Sequence, residues 1–332
     1  MIINKIITKL IMNEKLSDTQ LNFLFTKIIN AEINEHLISS ILTLITRNGF
    51  NYNNILSSAK ILRKKLIKVK VPENSIDTCG TGGDGKQTLN ISTATAIVLA
   101  GLGINVVKHG NRSVTSKCGS ADVLERLGVN ISENKKKLQK KIIKNKFIFL
   151  FAPNYHIAMK NVALIRKNLP FKTIFNLLGP LINPGLVKRQ IIGIFDKNLL
   201  YDYIKVLKQL GHKKAWVFHS ADGLDEISIF KKTKVYELNK GKIKSFIINP
   251  NSFIKKKYKF KSIIGKDSVY NSKKIIEILN GKHNSFLEIV ALNAAAGLIV
   301  VDKEKKLKQA YYKVKNYLLS GKGINKIKEL TK

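Results

Sequence analysis

The chain has 332 residues, of which 44% are hydrophobic and 24% are charged, and its net charge at pH 7 is +37. This composition excludes wholesale disorder, and the length predicts two domains, or one large domain with an appendage. Two cysteines are too few for a disulfide framework, and the longest weakly polar run, residues 97–107, is too short to cross a bilayer. Residues 1–7 lack the pattern of a secretory signal, so we expect a cytoplasmic protein with no membrane-spanning helix.

The positive charge is carried almost entirely by lysine, because only six of the 59 basic residues are arginine. Proteins that read DNA bases rely on arginine, whose planar fork pairs with guanine. The lysines are spread along the whole chain beside many isoleucines and asparagines, residues that share A/T-rich codons. We therefore interpret the charge mainly as codon bias and expect no specific nucleic-acid partner, with a polyanion-binding protein as the alternative.

Residues 1–70 predict helices only. Ser17 and Gln20 form a capping-box pattern that opens an apolar-periodic run, and residues 34–47 form a second such run. Asn53 can open a third helix, because asparagine is a favoured N-cap residue. These patterns indicate a small N-terminal helical domain.

Residues 71–332 alternate short apolar segments with helical segments, the pattern of an α/β domain with a mostly parallel central sheet. Residues 230–248 predict a β hairpin, and residues 271–319 predict helices. We expect helices from about residues 155–188 to join the N-terminal helical domain. The predicted strands are residues 75–79, 105–108, 147–151, 191–195 and 215–219.

A glycine-rich segment, Gly80-Thr81-Gly82-Gly83-Asp84-Gly85, follows the first predicted strand. Glycines allow positive φ and let the backbone approach a ligand, and successive free N–H groups form a nest for anions. The segment lacks the Gly-Lys-Ser/Thr ending of a Walker loop and the spacing of a dinucleotide-binding motif. By itself it fits either an anion-binding loop or a tight turn.

Two later segments add hydrogen-bond donors. Asn90-Ile91-Ser92-Thr93 begins the next predicted helix, where such residues cap the helix and can also help its N-terminus to bind a phosphate. Residues 108–116, KHGNRSVTS, concentrate a lysine, an amide, an arginine and three hydroxyls after the second strand. So many donors at the carboxyl end of one strand indicate a site for a di- or polyphosphate.

The remaining candidates come from two further segments. Asp225 and Glu226 follow a predicted strand, and Mg²⁺ prefers one or two carboxylates together with phosphate oxygens and water. His156 and Arg166 are ten residues apart, near three turns of a helix that we predict to be entered through Pro153, so one helix face can carry both. From that face, Arg166 can clamp a carboxylate through two parallel hydrogen bonds.

Together these segments resemble the anthranilate phosphoribosyltransferases of tryptophan biosynthesis. The matching stretches, in the family's order, are DTCGTGGDG, NIST, KHGNRSVTSKCGSADVLE, FLFAPNYH, TIFNLLGPLINP, KRQ and DGLDEIS, and the resemblance covers nearly the whole chain. It implies a small helical domain beside an α/β domain, and a homodimer. It also implies transfer of the phosphoribosyl group of 5-phosphoribosyl 1-diphosphate (PRPP) to the amine of anthranilate, with release of pyrophosphate and with Mg²⁺ as cofactor, about two ions per subunit.

The resemblance implies roles for individual residues as well. It assigns no certain catalytic residue, and His109 is the candidate general base. The residues that would hold Mg²⁺ are Ser92, Asp225 and Glu226. Those that would contact anthranilate, with Arg166 facing its carboxylate, are Gly80, His109, Asn111, His156 and Arg166. Those that would bind PRPP are Gly80, Gly83, Asp84, Thr88, Asn90, Ile91, Ser92, Thr93, Lys108, Asn111, Arg112, Ser113, Thr115, Ser116 and Ser120.

The chain departs from the family pattern at four positions. Thr115 replaces a usual serine and keeps the hydroxyl, and Lys86 is an added cation beside the glycine-rich segment. Lys172 stands where the family favours arginine, and Pro170 stands near a common glycine. The last two differences concern the geometry of the anthranilate entry rather than the reaction.

Two other functions stay open at this point. A pyrimidine-nucleoside phosphorylase shares the helical-plus-α/β architecture, but that family has a further C-terminal domain and lacks the NIST and GLDEIS segments. A non-catalytic relative that binds PRPP or a nucleic acid fits the charge but not the intact acidic pair. An assay with anthranilate, PRPP and Mg²⁺ separates these functions.

Overall fold

The computed structural model describes residues 2–113 and 117–332, and its N-terminal part is helical, as predicted. Ser17 and Gln20 form the expected capping box. The third predicted helix begins earlier than expected, because the side chain of Asn51 accepts the N–H groups of Asn53 and Asn54 and is the N-cap. The prediction of Asn53 as the cap is therefore wrong by two residues. The four helices are α1 Ile2–Ile11, α2 Asp18–Ile29, α3 Glu35–Asn48 and α4 Tyr52–Lys65.

A seven-stranded sheet with the order β3-β2-β1-β4-β5-β6-β7 forms the centre of the rest of the chain. The five strands from β3 to β5 are parallel, and β6 and β7 extend the sheet as an antiparallel hairpin. The predicted α/β class, mostly parallel sheet and hairpin are confirmed. The strands are β1 Ile76–Asp77, β2 Val106–Gly110, β3 Phe147–Phe151, β4 Arg189–Gly193, β5 Lys214–Ser220, β6 Thr233–Asn239 and β7 Lys242–Ile248.

Helices cover both faces of this sheet. Successive side chains of each strand point to opposite faces, so each face has apolar side chains on which helices can pack. Trp216 and Phe218 of β5 join the core on one face, and Ala215 and Val217 join the core on the other. That second core also contains the N-terminal helices, and a domain boundary near residue 70 stays a prediction. The helices are α5 Ile91–Gly101, α6 Ser120–Arg126, α7 Lys135–Asn145, α8 Lys160–Asn168, α9 Phe175–Leu178, α10 Leu200–Gln209, α11 Ser268–Leu279, α12 Ser285–Val300, α13 Leu307–Leu319 and α14 Ile324–Leu330.

Helix α12 is the central helix, and every one of its 16 residues is buried. Its last carbonyls are capped by cations from the starts of two strands: Lys214 Nζ donates to the Ile299 carbonyl at 2.7 Å, and an Arg189 Nη donates to the Val300 carbonyl at 2.6 Å. Asp302 pairs with both cations. Cations at a helix C-terminus are favoured by the helix dipole, so these contacts fix α12 beneath β4 and β5.

The strand order changes direction once in the parallel part of the sheet. The chain runs outward from β1 through β2 to β3 and then returns to β4 on the other side of β1. Ligands of open α/β sheets bind in the crevice outside the carboxyl ends of the strands at such a switch point. The ends of β1 and β4 therefore mark the expected site. Among residues 2–113 and 117–332, every helix is too short or too polar to span a membrane.

Candidate active site

The glycine-rich loop after β1 and the acidic loop after β5 meet at this crevice. Gly82, Gly83 and Gly85 all have positive φ, which only glycine adopts without strain. The N–H of Gly82 donates to the carboxylate of Asp225. In return, the N–H of Asp225 lies 3.4 Å from Oδ2 of Asp84. The two loops that the sequence analysis treated separately therefore form one unit.

The glycine-rich and acidic loops can meet because Gly193, the last residue of β4, has no side chain. A Cβ placed on Gly193 would lie 1.5 Å from the carbonyl oxygen of Asp225. A Cβ on Gly80 would lie 3.0 Å from the carbonyl oxygen of Gly193 and 3.5 Å from Oδ2 of Asp225. Backbone therefore packs directly on backbone here, and the depth of the acidic loop in the crevice depends on these two glycines.

The N-terminus of α5 and a buried lysine complete this side of the crevice. Lys108, in the middle of β2, is 1% exposed, and its Nζ lies 3.4 Å from both the Thr78 and the Ser92 hydroxyl oxygens. The N–H of Ser92 donates to the carboxylate of Glu226. A helix N-terminus and a cation thus face the acids, the arrangement expected where a metal-bound phosphate would bind.

Three other residues predicted to bind PRPP lie at or near the N-terminus of α5. Asn90 is the N-cap residue of α5 and is held by the carbonyl of Cys118 and the side chain of Asn271. Thr93 is buried, and its hydroxyl has no hydrogen-bond partner among the described residues. Thr88 forms an isolated bridge with Ile264. Asn90 is thus fixed by neighbours outside the glycine-rich loop.

The acidic pair carries raised pKa values. Burial, followed by the charge of Asp84, raises the pKa of Asp225 to about 8. Burial, followed by the charge of Asp225, raises the pKa of Glu226 well above its usual range. A divalent cation would relieve this repulsion. In the part of the chain that the structure describes, no three His, Cys, Asp or Glu side chains cluster as a complete metal site, so an ion here also needs other oxygen ligands, as Mg²⁺ at substrate phosphates does.

One buried carboxylate at this site was missed by the sequence analysis. Asp77 ends β1 and is fully buried, and it accepts hydrogen bonds from the N–H groups of Cys79 and His109 and from the amide of Asn183. Burial raises its pKa, and the charge of Lys108 opposes that shift. Asp77 thus ties the start of the glycine-rich segment to the end of β2. Its position as a lone acid at a strand end was the available signal.

Two neutral histidines line the crevice beside β2. His109 Nδ1 lies 3.1 Å from the carbonyl oxygen of Gly179, so Nδ1 carries the proton and donates it. His109 Nε2 is then an acceptor, and His156 Nε2–H donates to it across 3.1 Å. Burial is the main cause that lowers the pKa of His109 to about 3 and that of His156 to about 4. Both rings are therefore neutral and weakly basic at pH 7.

The prediction that one helix face carries His156 and Arg166 is wrong. Pro153 lies in a short 3-10 segment, Ala152–Asn154, and His156 has the non-helical angles φ −116° and ψ 59°. Helix α8 begins only at Lys160, so the ten-residue spacing does not measure helical turns.

Arg166 nevertheless has the features of a ligand-binding arginine. Its Nε is buried and makes no hydrogen bond within the described residues, and its guanidinium lies 5.7 Å from the ring of Phe175. Burial lowers its pKa. Buried polar atoms are normally hydrogen-bonded, so an unpartnered guanidinium nitrogen suits a ligand carboxylate.

Part of the segment after β2 is hydrogen-bonded to α6. The guanidinium of Arg112 forms two hydrogen bonds with Glu125 and one with Asp122, both on α6. The backbone carbonyl of Asn111 accepts the Ser120 hydroxyl at 3.3 Å. Ser113 donates its N–H to Asp122. Thr115 and Ser116 lie outside the described residues, and the PRPP-binding roles of this whole segment stay predictions.

Two lysines border the crevice. The ammonium of Lys172 lies 4.0 Å from the centroid of the Phe195 ring, and its Cε lies 3.2 Å from the point where a Cβ of Gly83 would be. Lys86 extends over Gly223 in the acidic loop, with its Cε 2.9 Å from the Cβ position there. Two of the four departures from the family pattern, Lys172 and Lys86, therefore lie against the glycine-rich loop and the acidic loop respectively.

Comparison with known proteins agrees with this geometry. The model of a family described as "Glycosyl transferase family, a/b domain" matches residues 72–324. The anthranilate phosphoribosyltransferase of Pelagibacter ubique is 44% identical, over 98% of both chains. The chain belongs to the anthranilate phosphoribosyltransferase family. The resemblance inferred from the motifs is thereby confirmed, and with it the enzyme class and the phosphoribosyl transfer to anthranilate in tryptophan biosynthesis.

Solved structures of this family share the fold along the whole chain. The anthranilate phosphoribosyltransferase of Thermus thermophilus superposes with a TM-score of 0.90 at 30% identity, covering 98% of each chain. That of Saccharomyces cerevisiae, solved in complex with PRPP and Mg, superposes with a TM-score of 0.90 at 27% identity, covering 99% of this chain and 96% of the other. The pyrimidine-nucleoside phosphorylase alternative is not needed to explain any feature of the crevice.

Proposed function

We propose that the crevice between β1, β4 and β5 binds PRPP and Mg²⁺ on one side and anthranilate on the other. The observation that carries this proposal is the single unit formed by the glycine-rich loop, the N-terminus of α5, Lys108 and the Asp225–Glu226 pair. Backbone N–H groups and a buried ammonium favour phosphate, and the acidic pair favours a divalent cation.

Mg²⁺ would be held by Asp225, Glu226 and the hydroxyl of Ser92, together with phosphate oxygens of PRPP and water. The raised pKa values of the acids support this assignment, because a bound cation removes their mutual repulsion. The Saccharomyces relative was solved with both PRPP and Mg. When bound, the metal stabilises the negative charge of the departing pyrophosphate. A stoichiometry of about two ions per subunit is part of this proposal.

The chain's own groups then account for the reaction. Transfer breaks the bond between C1 of the ribose and the pyrophosphate and forms a bond from C1 to the anthranilate nitrogen, and the amine loses one proton. Lys108 would lie beside the pyrophosphate as that group gains charge, and a fixed, buried cation of this kind stabilises a transition state effectively. Holding the two substrates in line supplies a further part of the rate.

Anthranilate would bind beside β2, with its carboxylate on Arg166 and its ring near the two histidines. The unpartnered Nε of Arg166 supports this orientation. The aryl amine is neutral at pH 7, so a strong base is unnecessary. The low pKa of His109 fits a residue that positions the substrate rather than one that removes its proton.

The test is turnover of the purified protein with anthranilate, PRPP and Mg²⁺, followed by consumption of anthranilate and release of pyrophosphate. Asp225→Asn combined with Glu226→Gln should lower kcat by about 10³-fold or more, since both proposed metal carboxylates are neutralised. Because their burial as charges is unfavourable, the melting temperature should not fall. A matched control, Asp18→Asn with Glu35→Gln, changes the net charge equally at exposed helix starts and should keep full activity. Activity in the first double variant equal to the control would contradict the proposal.

We further propose that the enzyme is a cytoplasmic homodimer that associates through its N-terminal helices. Ile2, Ile11 and Met12 are 57%, 53% and 68% exposed, an apolar surface that a second copy would cover. Ile11→Glu with Met12→Glu should therefore convert a dimer into a monomer in sedimentation. A wild-type monomer at micromolar concentration would contradict this.

A further inference from the structure

We propose that a second pocket, beside the β6–β7 hairpin, binds a small amino acid-like ligand with an aromatic or bulky apolar side chain. The pocket has a volume of about 410 Å³ and lies between the β5–β6–β7 strands and the end of α12. This volume falls in the range of small-molecule sites, which run from about 300 to 1,000 Å³. It is separate from the crevice, because none of its lining residues belongs to the phosphate-binding or anthranilate-binding groups.

Aromatic and aliphatic side chains form about half of the wall, and polar groups form the rest. Trp216 of β5 and Phe246 of β7 meet edge to face with ring centroids 5.1 Å apart, and Ile248, Ile299 and Leu307 close the rest. Trp216 and Ile248 are only 3% exposed, so side chains of the packed core form the floor of the pocket. Such walls suit a flat ring or a branched aliphatic side chain.

A buried carboxylate gives the pocket its polar specificity. Glu237 of β6 is 4% exposed, and its Oε1 accepts the indole N–H of Trp216 at 2.8 Å. Its Oε2 has no hydrogen-bond partner among the described residues. The Lys244 ammonium lies 2.9 Å from Oε2 but outside hydrogen-bonding alignment, on a side chain that is 70% exposed. Because its ion-pair partner is an exposed lysine, this buried carboxylate can exchange that lysine for the N–H donors of a ligand.

The rim carries the opposite charge. Lys244 and the exposed Lys305 both line the pocket, so a simple organic cation would meet Glu237 but would be repelled at the entrance. A zwitterion satisfies both: its ammonium binds Glu237, its carboxylate lies near the lysines and its side chain contacts Trp216 and Phe246. An α-amino acid with a large apolar side chain has this arrangement of groups.

The chain contains one tryptophan, and it lines this pocket, so its fluorescence reports occupancy directly. L-Phenylalanine, 2-phenylethylamine and 3-phenylpropionate do not emit under tryptophan excitation and share one ring. We expect a saturable change for L-phenylalanine and weaker binding of the two analogues, which lack the carboxylate and the ammonium respectively. No saturable change with any of the three, in fluorescence or in a thermal shift, overturns the proposal.

Single substitutions show which charged groups of the pocket hold the ligand. Glu237→Gln keeps an acceptor for Trp216 and should weaken L-phenylalanine binding about tenfold, while leaving 3-phenylpropionate nearly unchanged. Lys305→Ala should weaken it less, and the matched Lys308→Ala, at a lysine that does not line the pocket, should have no effect. Equal affinity in all these variants overturns the proposal. If Glu237→Gln does not fold, the analogue series and the lysine pair decide the question.

Binding at the active site would give a different result. Saturating PRPP with Mg²⁺ should leave the L-phenylalanine titration unchanged, because the two sites share no residue. The Arg166→Ala variant should also bind the probe normally. Loss of the fluorescence response in either experiment would place the probe in the crevice and overturn the proposal.

Discussion

The two sides of the crevice, which we propose to bind phosphate and anthranilate respectively, are built in different ways. On the phosphate side, the glycine-rich loop, α5, Lys108 and the acidic loop already bind one another, so charges and N–H groups are fixed before a substrate arrives. On the anthranilate side, two neutral histidines are held by a single carbonyl, and Arg166 keeps a buried nitrogen without a partner among the described residues. The first side is preorganised for charge, whereas under the proposed function the second would be completed by its ligand.

Among single substitutions, removal of the buried cation should produce the largest effect. Lys108→Met should lower kcat/KM for PRPP by about 10²–10³-fold, because it deletes a fixed charge beside the leaving pyrophosphate. The KM for anthranilate should change little. Steady-state kinetics with each substrate varied checks this. Lys86→Met, a lysine at the edge of the same loops, is the matched control and should stay within about tenfold of the wild type. Equal losses in both variants would show that burial of the charge is unimportant.

The histidine pair should make stability depend on pH. The pKa values of about 3 for His109 and about 4 for His156 lie below the ordinary 6.5, so the unfolded chain takes up protons first as the pH falls. Their contribution to the free energy of unfolding is complete above pH 6.5 and is lost as the pH falls toward these folded-state pKa values. Between pH 7 and 5 the loss is at most about 2 kcal/mol per histidine.

The raised pKa values of Asp225 and Glu226 act in the opposite direction, because the folded state binds their protons more tightly. The measurement is therefore the difference between two denaturation series, for the wild type and for His109→Gln with His156→Gln. The stability lost by the wild type between pH 7 and 5, relative to the variant, gives the contribution of the histidines. Parallel curves would show that these rings are not buried in neutral form.

Arg166→Ala should raise the KM for anthranilate by about 10- to 100-fold, which corresponds to a lost charged hydrogen bond of about 1.4–3 kcal/mol. The KM for PRPP should barely change. Arg166→Lys should recover little, because an ammonium cannot form two parallel bonds to a carboxylate. Lys167→Ala, the exposed neighbour on α8, is the control. Equal increases in both KM values with a lower melting temperature would make Arg166 structural.

The smallest effect is expected at His109. His109→Asn should change kcat by less than about tenfold, and the pH dependence of kcat should show no step between pH 6 and 7 that the substitution removes. Steady-state rates between pH 5.5 and 9 check this. A larger loss, together with disappearance of such a step, would make His109 a general base and reverse the comparison between the two sides.

The convergence of the segments on the proposed phosphate side could be predicted from the sequence, because these segments are short, contiguous and placed at strand ends. Gly80–Gly85, Asn90–Thr93 and Lys108 needed only the rule that carboxyl ends of parallel strands share one edge. The acidic pair followed from the same rule.

Other features depend on contacts between distant segments. The side chain of Arg112 is oriented by Glu125 and Asp122. Which residues of α6 face Arg112 depends on how that helix packs. His156 leaves the helix because of a 3-10 segment around Pro153 that periodicity does not reveal. Asp77 is a hydrogen-bonding centre only because Asn183 folds back onto it. Such features follow from packing that local sequence does not specify.

The absence of a Cβ at Gly193 determines where the acidic loop can lie. Any larger residue there would displace the backbone of Asp225, so the position is closed to substitution although it has no side chain that could act on a substrate. In a library of single variants, this site should tolerate nothing, and its failures should resemble those of the acidic pair rather than those of the surrounding β4 residues. A mutational map of the protein would therefore mark as functional a residue that has no functional group.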